Sequence, residues 1–170
     1  MKRRYLAGGY VIAGLIVLSL LVRMTIANPP ALNELLPGTL FVALIVFTDV
    51  FGVLLAGGVV SLLPMTTVAA YLVMGPVSTG WAALVGAVVH AVLRCRCAEQ
   101  LKLPQLTDSW QIVIIGAANA VAHTASVLFG GLVFQALQGE LPLNEMGSSH
   151  IVALVAFALV YILINHLAFL

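Results

Sequence analysis

The side chains able to do chemistry are few, and each is set in apolar surroundings. Asp49 follows Thr48 in FTDVF, His90 closes the small-residue run AALVGAVVH, and Asn119, His123 and Ser126 share the stretch NAVAHTAS. Asn165 and His166 lie near the end of the last apolar segment. A carboxylate inside a membrane span must be neutralised or paired, which makes Asp49 a candidate for function or for fixing helices together. By depth, the groups able to meet it are His90 and Asn165 or His166. Asn119, His123 and Ser126 fall at i, i+4 and i+7, on one helical stripe with Gly130 above them. Such a stripe either hydrogen-bonds a neighbouring helix or lines a ligand pocket, and the sequence leaves both open.

Other chemistries find no support. His90, His123 and His166 lie on three different segments, yet His123 sits nearer mid-span than the other two, and no HxxH or HExxH spacing joins them. No metal and no cofactor are expected. No GxSxG, paired carboxylates, Cys/His pair, P-loop or GxGxxG is present, so these residues are not expected to form an enzyme. Cys95 and Cys97 form a CxC with no further cysteine, and read as reduced thiols on the cytoplasmic side.

The elements that must position these groups are membrane helices. Hydrophobic residues make up 62% of the 170, and charged residues 8%, against roughly a quarter in soluble chains. The fold class expected is all-α, a polytopic membrane domain of about six helices over residues 5–27, 37–55, 61–74, 77–93, 110–137 and 151–170. Asn28-Pro29-Pro30 ends the first, and Ala56-Gly57-Gly58 is a tight turn, partly re-entrant in one reading. The third, short for a span, would be buried among the others. Gly75-Pro76-Val77-Ser78-Thr79-Gly80 is expected to be the turn of a hairpin. Ala83, Gly86, Ala87 and His90 give the fourth helix a close-packing face. Asp108-Ser109 supplies N-cap types for the fifth, which is long enough to be tilted or broken near Gly130-Gly131.

Charge orients the chain. Lys2, Arg3, Arg4, Arg94, Arg96 and Lys102 gather at one face, whereas Glu34, Glu140 and Glu145 mark the other, with Arg23 snorkelling there. Both ends of the chain are therefore expected in the cytoplasm, with the lipid bilayer as the main partner and no basic patch left for nucleic acid. The N-terminal MKRR and the run after it resemble a signal peptide, but no A-x-A-like cleavage site follows, so a retained first span is expected. An apolar end at Leu170 suggests a segment of something longer.

The order VVSLL, then VAAYLVMGP, then GWAALVGA, followed by Asn119-Ala120 and by Tyr161-Ile162-Leu163-Ile164-Asn165, resembles a known membrane region. It is similar to the N-terminal membrane input domain of bacterial signalling proteins with cytoplasmic HD-GYP or GGDEF output domains. The resemblance implies a sensory domain in the bacterial inner membrane, responding to a small or membrane-derived signal. It also implies a cytoplasmic output domain as partner, with no signalling chemistry in residues 1–170 themselves. The Gly-Pro hairpin and six-helix count also resemble the S components of energy-coupling-factor vitamin transporters. Those bind a small molecule near the outer face and dock on a membrane partner subunit, for which Ala7, Gly8, Gly9 and Gly14 would offer a surface. A third expectation is an accessory subunit of a larger membrane complex.

Overall fold

The computed structural model describes residues 2–51, 53–55, 58–60, 62–97, 109–139, 141 and 147–168. Lys102, Asp108, Glu140, Glu145 and the turn residues Ala56 and Gly57 lie outside them, and the charge-based assignments resting on those residues lie outside with them.

Five helices are long and apolar enough to cross a membrane. They are α1 (Lys2–Ala27), α2 (Leu35–Val50), α3 (Leu63–Cys97), α4 (Ser109–Ala136) and α5 (Ser148–Leu167). A single 3-10 turn, Leu32–Glu34, leads into α2. The remaining regular structure among the described residues is a small antiparallel ribbon, β1 (Val53–Leu55) with β2 (Gly58–Val60), in which Leu55 faces Gly58. The second helix thus stops at Val50, short of the expected Leu55. Val53, Leu54 and Leu55 extend instead and pair with Val60, Val59 and Gly58 across the ribbon.

The third element is the hairpin. Gly75 has φ 75° and ψ −177°, a conformation that breaks the helix into residues 63–74 and 76–97 and that side chains other than hydrogen rarely tolerate. Pro76 then begins the second arm, where its missing N–H costs nothing. One residue therefore makes the turn for which six were expected. Ser78, Thr79 and Gly80 are already helical, because Pro76 presets the first turn.

Contacts to α4 fix the directions. In the first arm, the Tyr71 hydroxyl donates to the Gly131 carbonyl at 3.3 Å, while Thr67 is joined through Tyr161 to His123. That arm runs parallel to α4. In the second arm, a Cβ at Gly131 would meet Pro76, one at Gly80 would meet Leu128, and one at Gly116 would meet Ala91. That arm runs antiparallel. Gly14 lies against Val121, and Leu21 joins Leu128 in one apolar cluster, so α1 is parallel to α4. α5 descends with Phe157 against Gly130 and Asn165 on Ser126. Four undivided helices and the two arms of α3 make six helical segments that alternate in direction. The Tyr10 hydroxyl donates to the Ala168 carbonyl, which sets the start of α1 and the end of α5 at the same end of the bundle.

Packing follows from small residues. α4 and the hairpin form the centre, α2 lies on α3, and α1 and α5 lie on α4. A Cβ at Gly86 would stand 2.5 Å from Ile45 Cγ2, so glycine there admits α2 to van der Waals contact. α4 is unbroken through Gly130 and Gly131, and the two glycines instead admit the rings of Phe157 and Tyr71. Tyr71, Phe134 and Phe157 form an aromatic core, with Tyr71 edge-on to Phe134 at 5.4 Å. Outward, α1 bares Val11, Ile12, Leu15 and Ile16 at 62–63% exposure, an apolar surface far larger than a protein in water carries.

Candidate functional site

Asp49 stands in the last turn of α2, one residue before its end. The partial negative charge of a helix C-terminus disfavours a carboxylate there, so it needs a cationic or donor partner. His90 of the second arm supplies one, with Nδ1 at 2.5 Å from Asp49 Oδ2 and the two side chains only 8% and 16% exposed. Of the partners that depth along the spans allows, His90, Asn165 and His166, the contact is made by His90. Gly86, one turn before His90, allows the close approach of α2 on which the contact depends.

A second polar chain runs beside it. Thr67 donates to the Leu63 carbonyl at 2.8 Å, and Tyr161 donates to Thr67 Oγ1 at 3.3 Å. His123 Nδ1 lies 3.0 Å from the tyrosine oxygen and shares a hydrogen with it, the donor set by the imidazole tautomer. A third group closes the set: Asn165 Nδ2 donates to Ser126 Oγ at 2.8 Å, and Ser126 donates to the Ala122 carbonyl at 2.7 Å. The Asp49–His90 pair joins α2 to the second arm, and the bonds of Thr67, Tyr161, His123, Asn165 and Ser126 join the first arm, α4 and α5.

Of the stripe on α4, His123 and Ser126 face α5 and are hydrogen-bonded to it, whereas Asn119 is half-buried one turn below, with no hydrogen bond to another described residue. His166 is exposed and stands apart from the set, because one helical step of about 100° turns it away from Asn165. Three histidines therefore do not converge, and among the described residues no group of three His, Cys, Asp or Glu is placed to hold a metal. Cys95 is exposed and Cys97 half-buried, both as thiols. Thr67 and Tyr161 were not singled out as site residues, although Tyr161 stands i, i−4 to Asn165, a spacing that would have joined it to the same face.

At the opposite end, a cavity of about 270 Å³ lies between the α1–α2 connection and the second arm. It is lined by Glu34, Leu35, Gly38, Ser78, Trp81 and Val85 among others. Comparison with protein-family profiles, with curated proteins and with solved structures finds no match to this chain.

Proposed function

We propose that residues 1–170 form a membrane input domain of a bacterial signalling protein, set in the cytoplasmic membrane with both ends inside. It senses a small or membrane-derived signal and biases a cytoplasmic output domain. The observation that supports this is the Asp49–His90 pair with its neighbours His123, Tyr161 and Thr67. A bundle held by packing alone needs no ionisable pair between spans, and such groups are retained at a cost where they do something. The pair joins α2 to the hairpin, and the tyrosine chain joins the hairpin to α4 and α5, both in the half of the bundle where α1 starts and α5 ends. A change in their bonding shifts the helix that leads toward any following output domain, which is what a two-state input element requires.

The test is output from the full-length protein carrying Asp49→Asn or His90→Gln. Both variants should lock output at one level regardless of signal. Wild-type response in both would sink the reading.

A binding subunit resembling an energy-coupling-factor S component is the second reading, favoured by the cavity at the hairpin end. Gly8 and Gly9, whose Cβ positions meet nothing within 4 Å, leave a small-residue face free for a membrane partner, whereas Gly14 is already taken by Val121. Co-purification of a membrane subunit lost on Gly8→Leu would favour it.

A further inference from the structure

A second cavity, of about 590 Å³, lies on the seam between α2 and the second arm. Val42, Val46 and Val50 of α2 and Val89, Leu93 and Cys97 of the second arm line it, together with the rings of Phe47 and Phe51. No charged side chain lines it, and the Thr39 hydroxyl donates to the Leu36 carbonyl at 2.8 Å. The interior therefore suits an alkyl chain and little else. Thr39, Ala43, Phe47 and Phe51 of its lining are all exposed, so the cavity opens sideways, toward lipid. Along α2 it reaches from Thr39 to Val50, eleven steps, or about 16 Å at roughly 1.5 Å each. That is about half of a hydrocarbon core roughly 30 Å thick, the depth of one leaflet. Charge then distinguishes the headgroup. Apart from the Asp49–His90 pair, the only charged residues on these two helical segments, 35–50 and 76–97, are Arg94 and Arg96. Arg96 is exposed and falls between Leu93 and Cys97, both of which line the cavity, so the seam is basic where it leaves the membrane. Basic residues at such a position attract anionic lipid headgroups.

We infer that this seam binds an anionic phospholipid from the leaflet on the Arg94–Cys97 side, with one acyl chain in the cavity and the phosphate at Arg96. A zwitterionic lipid would bring the same chain, but its own amine offsets the charge that Arg96 meets. Val46 and Val50 stand three residues before and one after Asp49, and Val89 precedes His90. A chain in the cavity therefore lies along the seam that the Asp49–His90 pair closes. In naming the membrane-derived signal the inference rests on the input-domain reading; binding itself is read in micelles without any output, so the two fail separately.

The chain has two cysteines, so a Cys95→Ser background leaves Cys97, half-buried in the cavity wall, as a native reporter. In maltoside micelles, dioleoylphosphatidylglycerol should slow maleimide labelling of Cys97 saturably, by about fivefold or more, while dioleoylphosphatidylcholine slows it less than about twofold. Each variant is compared with its own rate without lipid, which removes any effect of the arginine on the thiol. Arg96→Gln should raise the phosphatidylglycerol concentration for half protection about fivefold, the contribution of one basic residue beside an anionic headgroup. Ala43→Phe should abolish protection with Arg96 intact, since a ring at this exposed wall position fills the cavity. Equal protection by both lipids, no protection by either, or undiminished protection in either variant with wild-type thermal unfolding, would overturn the inference. Protection that rises with protein concentration in the absence of lipid would assign the seam to a second copy of the chain, and would overturn it equally.

Discussion

Replacing His90 by leucine should destabilise the bundle far more than replacing both members of its pair. The variant leaves Asp49 without its partner in the last turn of α2, where the helix dipole already opposes a negative charge. Breaking a buried pair from one side costs about 3–5 kcal/mol in soluble proteins. Within a bilayer the unfolded reference state also finds partners, which lowers the expected cost to about 2–3 kcal/mol. Asp49→Leu leaves only a neutral imidazole short of one bond, for about 1 kcal/mol. The double variant removes both polar groups and should stand within about 1 kcal/mol of wild type. The cycle thus predicts a coupling of about 2–4 kcal/mol, read from reversible unfolding in mixed micelles. A coupling below about 0.5 kcal/mol would refute the argument, because the two groups would then be solvated independently.

Gly75→Ala should cost roughly 1–3 kcal/mol by forcing a side chain into φ 75°, measured by the same unfolding assay. Gly86→Val should cost about 1–3 kcal/mol by overpacking against Ile45. Gly8→Ala, with open space around it, should change stability by less than about 0.5 kcal/mol. Tyr161→Phe removes the link between His123 and Thr67 and should cost about 0.6–1.7 kcal/mol, with a changed tautomer signature for His123 in nitrogen-15 NMR.

Much of this architecture is legible in the sequence. Six apolar segments and the Gly-Pro pair match six helical segments that alternate in direction, and the depth of Asp49 placed His90 among its possible partners beside Asn165 and His166. The turn was harder to read, because Ser78, Thr79 and Gly80 look like loop residues until Pro76 is recognised as a helix start. The ribbon after Val50 was invisible for a related reason: a continuous apolar run does not distinguish strand from helix. Tyr161 and Thr67 escaped as site residues because a hydroxyl in a span is cheap to satisfy within its own helix, as Thr67 does with Leu63. His166 was drawn in by depth alone, and depth says nothing about which face of a helix a residue occupies.

Every functional reading here rests on six passes with the Arg94–Cys97 end of the second arm in the cytoplasm. The most direct test is sidedness of thiol labelling in oriented vesicles. The native Cys95, exposed at that end, should react with an impermeant maleimide only when the cytoplasmic face is accessible. In a cysteine-free background, Ala31→Cys and Ser148→Cys, both exposed at the opposite end, should react only from outside. Labelling of Ser148→Cys from the same side as Cys95 would contradict the six-pass scheme and the input-domain reading built on it.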